Sequence, residues 1–166
     1  MIDFVIDLAK TIGSVSGIFA AAFLIWDRYV KHVPVAIIVA RPLVEGSQQI
    51  APFLLIKNAS DRPVLLYWDN GDRTKLRVAR DQTIRGIVES LVDGQSVISL
   101  GPMAEAYLPV LKPSSYDEIH PDNVMELHLK WRFAQPRIWV ADRRISISVQ
   151  KRHFEEMIDG FINRKD

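Results

Sequence analysis

A chain of 166 residues has room for one domain of ordinary size and an appendage. Its 48% apolar and 25% charged residues exclude both a disordered tail and a polytopic membrane protein. A formal charge of +1 selects no partner by bulk electrostatics, and the lack of cysteine excludes disulfides, thiolate metal sites and cysteine nucleophiles.

Residues 8–26 carry a single charge, Lys10, and residues 11–26 carry none. As a helix, residues 8–26 would be roughly 28 Å long, close to the ~30 Å hydrocarbon core of a bilayer. Trp26 and Tyr29 sit where an interfacial aromatic belt would lie, with Arg28 and Lys31 beside them. A cleaved signal peptide fits less well, because Asp3 and Asp7 replace a basic start and the apolar run continues past Ala20 and Ala22. Residues 1–32 are therefore expected to form a single transmembrane helix with its juxtamembrane segment. The alternative is a helix buried in a soluble core or at a soluble interface.

Ala9, Gly13, Gly17 and Ala21 recur every four residues on this helix and make one stripe of small side chains. In lipid such a stripe lets two backbones approach closely, so self-association into a homo-oligomer is expected. Arg28, Lys31 and Arg41 follow the helix, while Asp3 and Asp7 accompany Lys10 before it. That asymmetry places the rest of the chain on the cytoplasmic side of the membrane.

Residues 33–151 read as a β-rich domain. Residues 33–39 (V-P-V-A-I-I-V) and 50–57 (I-A-P-F-L-L-I-K) suit two strands. After the turn residues 58–63, a third strand follows at 64–68. Asn70-Gly71 is the favoured pair for a type I′ hairpin, which would lead directly into a fourth strand at 74–78. The period then changes. Ile84, Ile87, Val88, Leu91 and Val92 lie on one helical face, with Asp81 or Thr83 as cap and Gly94 after the end. Residues 97–100 make a short strand, and 104–111 another, with Pro109 pointing to a sheet edge. Leu127, Leu129, Trp131 and Phe133 alternate with His128, Lys130 and Arg132, and Ile145, Ile147 and Val149 alternate with serines and Gln150. These are the clearest strands, expected as an antiparallel pair. Phe154, Met157, Ile158, Phe161 and Ile162 mark a short amphipathic helix in residues 152–166.

Many short strands separated by turns predict a mainly β fold, an immunoglobulin-like two-sheet β-sandwich. The alternatives are an α+β arrangement or a small barrel.

No phosphate-binding loop, dinucleotide fingerprint, zinc-protease or nucleophile-elbow motif is present. No metal site and no cofactor is expected. Asp117, Glu118, His120 and Asp122 read as a solvated loop, and Asn58-Ala59-Ser60 is a formal glycosylation sequon. Charge patterning says more. Arg73, Lys75, Arg77, Arg80 and Arg85 against Asp81 give residues 73–85 a net +4. Lys130, Arg132, Arg137, Arg143, Arg144, Lys151 and Arg152 against Asp122, Glu126 and Asp142 give residues 120–153 the same. If both segments belong to one sheet, that sheet has a basic outer face. Arg73, Lys75, Arg77, Lys130, Arg132, Trp139, Arg143 and Arg144 are the candidate contacts for an anionic ligand or lipid. The simplest role for these charges is to keep the sheet soluble.

The expected function is a membrane-anchored, non-enzymatic binding or adaptor module, self-associating through its helix, with membrane lipid and a cytoplasmic protein as partners. One alternative is a membrane effector whose β domain senses an anionic ligand: a lipid headgroup or, less favoured, a nucleotide or nucleic acid. Another is an enzyme with a site assembled from dispersed residues, which would bring together several of Asp117, His120, His128 and Asp142.

Overall fold

The computed structural model describes residues 2–29, 33–43, 49–72, 74–92, 94–134 and 142–159, with the side chains of the first helix described over 13–27. It divides into two units, Met1–Val33 and Pro34–Asp166.

The first unit is one helix, α1 (Ile2–Tyr29). Val15, Ile18, Phe19, Phe23, Leu24, Ile25 and Trp26 are all exposed, as are Gly13 and Gly17, which meet nothing within 4 Å. Among the described residues no helix is long and apolar enough to cross a membrane. The single transmembrane helix expected over residues 1–32 thus finds no support among the described residues.

The second unit is mainly β. Strands β1 (Val35–Pro42), β2 (Ile50–Lys57), β3 (Val64–Asp69), β4 (Arg77–Val78), β5 (Gln95–Leu100), β6 (Glu105–Leu111), β7 (Val124–Phe133) and β8 (Arg143–Gln150) form two antiparallel sheets. The orders are β1-β2-β6-β4 and β5-β3-β7-β8. Two helices join them, α2 (Ile84–Val92) and α3 (Lys151–Asp159), with a 3-10 turn at Tyr116–Glu118.

Strict alternation makes the sandwich. Met125, Leu127, Leu129 and Trp131 of β7 are buried, as are Val64, Leu66 and Trp68 of β3. Opposite them stand Leu54 and Ile56 of β2 and Leu108 and Val110 of β6, all in one core cluster. With a side-chain period of two, the intervening residues of β3 and β7 face outward, whereas on the other sheet the intervening Phe53 and Pro109 are buried as well. α3 closes one end: Phe154 is fully buried 6.2 Å from the Tyr116 ring, and Lys151 Nζ donates to Ile119 O at 2.8 Å. The two clearest predicted strands are β7 and β8, paired antiparallel from Val124↔Gln150 to Trp131↔Arg143.

Three expectations are corrected. Asn70-Gly71 is no hairpin turn, because β3 and β4 lie in different sheets. A type I′ turn needs positive φ at both central residues, and Met103 is the one non-glycine with positive φ among the described residues. Asn70 is instead buried. Its Nδ2 donates to Val78 O and Ser90 O, both at 2.9 Å, and its Oδ1 accepts from Val78 N at 3.0 Å. These bonds tie the end of β3 to β4 and α2.

The fourth strand is shorter than 74–78, since Thr74 and Lys75 fold back onto Asp72 and only Arg77–Val78 pairs with β6.

Pro109 does not mark an edge: β6 runs between β2 and β4. The Pro109 carbonyl accepts from Ala79 N at 2.9 Å, on the β4 side. In an antiparallel ladder a residue's N–H and C=O point the same way. The missing N–H therefore faces the side where β4 has already ended, and the β2–β6 ladder loses no bond.

The apolar stripe of α2, whose direction periodicity leaves open, faces away from the core. Ile84, Val88, Leu91 and Val92 are exposed, whereas Gly86 and Ser90 are buried. Ser90 Oγ donates to Gly86 O and accepts from Arg80 N, and Ser90 O receives Asn70. Small size and hydrogen bonding, not hydrophobicity, seat this helix.

Candidate anion-binding groove

The outer face of the β5-β3-β7-β8 sheet carries the site. Cross-strand register sets Val97, Tyr67, Lys130 and Arg144 in a single row: Val97↔Tyr67, Tyr67↔Lys130 and Lys130↔Arg144 are direct partners. At ~4.8 Å between strands, the row spans about 14 Å. Half of it is aromatic and aliphatic, and half is cationic. The neighbouring row is Ser99, Leu65 and Arg132.

Above the first row lies a groove of about 840 Å³. Tyr67, Val97, Lys130 and Arg144 line it, with His128, Ser146 and Asp142 along β7 and β8. Asp69 at the end of β3, Asp72 and Lys75 of the segment after it, and Gln95 at the start of β5 also line it. Leu76 N donates to Glu126 O at 3.0 Å, which fixes this segment beside β7.

Charges in the groove pair unevenly. Asp72 Oδ1 accepts from Thr74 Oγ1 at 2.6 Å and Thr74 N at 3.0 Å, and its Oδ2 meets Lys75 Nζ at 3.1 Å. Those Thr74 bonds, led by the hydroxyl, hold the Asp72 carboxyl down at about 2. Asp69 Oδ1 accepts from Gly71 N at 2.8 Å. Asp142 lies 3.9 Å from Arg132 Nη1, and the Arg132 guanidinium sits 5.1 Å from the Tyr67 ring centroid. His128 Nε2 is 3.1 Å from the Glu126 carboxylate. The side chains of Lys130 and Arg144 make no hydrogen bond, ion pair or ring contact among the described residues. Asp72 and Asp142 face Lys75 and Arg132, while Asp69 meets a backbone N–H, so the groove keeps two adjacent cations on β7 and β8 and one carboxylate at the end of β3. Like charges directly opposite on neighbouring strands repel by about 0.2–1 kcal/mol. An anion bound between them removes that repulsion and gains two charge-assisted hydrogen bonds.

Of the eight basic and aromatic candidates, Lys75, Lys130 and Arg144 come together here, with Arg132 one row away. Arg77 does not join them. It belongs to the other sheet, where its Nη2 donates to Lys112 O and Ser114 Oγ. The two basic segments therefore do not share one sheet face. Arg143 turns the other way, with its guanidinium 5.1 Å from the ring of buried Trp131. Arg73 and Trp139 lie outside the described residues.

Sequence reasoning did not single out Tyr67, Val97 or Asp69. The signal for Tyr67 was its parity, opposite to that of buried Trp68.

Of the four residues named for a dispersed active site, His128 and Asp142 reach the groove, while Asp117 and His120 stay exposed near the 3-10 turn. Among the described residues, no group of three His, Asp or Glu side chains is placed to hold a metal. The sequon is closed: Asn58 is fully buried, and its Nδ2 donates to Arg62 O at 2.7 Å and Gly101 O at 2.8 Å. Comparison with protein families and with curated proteins finds no match for the chain.

Proposed function

We propose that the chain is a membrane-anchored, non-enzymatic binding module whose β-sandwich takes an anionic ligand in the groove between Lys130 and Arg144. The observation that carries this reading is the cation pair beside the Tyr67 and Val97 surface, which forms no ion pair among the described residues. The cations fit a phosphate or carboxylate, and the apolar half fits the body attached to it. That chemistry is shared by a lipid headgroup and a soluble phosphate ester.

The anchor is supported by the apolar run at 8–26 and by the exposure of apolar side chains along α1. A helix with such a surface needs an apolar surrounding. The small-residue stripe Ala9, Gly13, Gly17 and Ala21 lets two copies of the helix approach in lipid. Flanking Arg28 and Lys31 put the sandwich on the cytoplasmic side. The sheet orders support an immunoglobulin-like sandwich: they correspond to A-B-E-D facing C′-C-F-G. The chain departs from that pattern in placing β4 before β5.

The test uses the full-length chain. Carbonate extraction and protease protection of a C-terminal tag report the anchor and its direction. Titration with inorganic phosphate, and separately with vesicles of anionic and of neutral lipid, reports the site. Lys130→Glu with Arg144→Glu is expected to weaken binding at least tenfold in a folded protein. Unchanged binding by that variant would overturn the groove. Free extraction into solution would overturn the anchor.

A further inference from the structure

Strand edges carry unpaired backbone donors and acceptors, and folded proteins protect them. Three of the four sheet edges here are protected. β1 starts after Pro34 and ends at Pro42. β4 is two residues long. β8 carries Arg143 and Arg144 and lies alongside β1. The β5 strand itself has no such device: Gln95–Leu100 reads Q-S-V-I-S-L, with no charge and no proline, and α2 comes near only its first half.

The ladder says which groups face outward. Asn70 N donates to Gly94 O, so the 70/94 pair is a bonded one. Bonded and non-bonded pairs alternate, which places 96/68 and 98/66 among the bonded pairs. Gln95, Val97 and Ser99 therefore turn their N–H and C=O to the open edge. Glu89 and Ser90 bring α2 beside the start of that edge, and the helix's own apolar stripe is exposed, with Ile84 83% and Val92 76% exposed. A small pocket of about 140 Å³ between helix and strand, lined by Glu89, Ser90, Gln95, Ser96 and Val97 among others, marks their junction.

We propose that β5 pairs antiparallel with β5 of a second copy, joining two four-stranded sheets into one of eight. The outward groups are symmetric about Val97. A two-fold axis through Val97 sets Val97 against its mate and Gln95 against Ser99 of the other copy. All three outward residues are then bonded, no charge meets a like charge, and valine meets valine on the outer face. This isologous contact closes at two copies. The two rows that end in Lys130 and Arg144 meet at Val97. The inference does not rest on ligand binding in the groove.

The chain has no cysteine, so a single introduced one is a clean probe. Full-length Val97→Cys, in its membranes, is treated with a short bis-maleimide. A covalent dimer is expected, and adding Ser99→Pro should lower its yield at least tenfold, because the lost N–H points away from β3. Gln95→Lys with Ser99→Lys, which sets lysine against lysine and leaves the backbone intact, should do the same. Ser148→Cys on β8 reports random collision or a dimer held by α1 alone. No dimer at Val97, equal yield at Ser148, or yield unchanged by the lysine pair in a folded chain would overturn the proposal.

Discussion

Lys130 of β7 and Arg144 of β8 stand directly opposite each other on the outer sheet face, with neither bonded to a described carboxylate. A folded domain keeps such a pair at a small cost, about 0.2–1 kcal/mol. The single change Lys130→Glu converts repulsion into attraction across the same pair. It should raise stability by a similar amount while abolishing phosphate binding. Thermal unfolding and a phosphate titration on the same sample check both halves. A variant that loses stability, or keeps its binding, contradicts the assignment.

The rim of the groove should be acid-sensitive only at low pH. Folding holds the Asp72 carboxyl at about 2, below its ordinary value of 3.8, first through the Thr74 hydroxyl. A carboxyl depressed in the folded state favours folding above the unfolded value, and that contribution disappears as pH falls from about 4 towards 2. The contacts of Asp72 with Thr74 and Lys75 should therefore hold at pH 5 and loosen near pH 2. An NMR titration of the Asp72 carboxyl should show its midpoint near 2, and Thr74→Ala should move it upward. A midpoint unmoved by Thr74→Ala would assign the shift to Lys75 instead.

The sequence made some of this legible and hid the rest for identifiable reasons. β7 and β8 were readable because one face is buried and the other wet, so parity is written into every residue from Met125 to Trp131. β6 was misplaced because proline is judged by its lost donor, and only the ladder shows that the Pro109 donor position faces no partner. α2 was found but its orientation was not. Periodicity shows that an apolar stripe exists; it does not say whether the stripe or the small residues Gly86 and Ser90 face the domain. The site was half legible. Lys130 and Arg144 were named singly, but their juxtaposition depends on register, and Tyr67 joins them only through a third strand.

Asn70 offers a direct contest between the local motif and the fold. In a hairpin turn, Asp-Gly serves as well as Asn-Gly, and Asn70→Asp would be nearly neutral. In this structure the amide donates to Val78 O and Ser90 O, and an aspartate would set its oxygens against those carbonyls. Asn70→Asp and Asn70→Ala should each cost about 2–4 kcal/mol, since buried groups lose their partners. Urea unfolding measures it. A loss below about 0.5 kcal/mol for the aspartate variant would return the segment to a simple turn.

Gly86 sets helix propensity against a cap. Gly→Ala inside a helix ordinarily gains about 1 kcal/mol. Here a Cβ at Gly86 would run into the carboxylate of Asp81, whose Oδ1 accepts from Thr83 N at 2.8 Å and Thr83 Oγ1 at 2.6 Å. Thr83 Oγ1 in turn accepts from Gly86 N at 2.9 Å, as the N-cap of α2. The same Thr83 bonds, the hydroxyl first, hold the Asp81 carboxyl below its ordinary value. Gly86→Ala should therefore give no net gain and should raise the Asp81 titration midpoint as the cap opens. Asp81→Ala removes the obstacle, so Gly86→Ala made in that background should recover the propensity gain. Such non-additivity in a double-mutant cycle is the signature of direct contact. Strict additivity, with Asp81 titrating as before, would mean that the helix start shifts freely and that glycine is not required there.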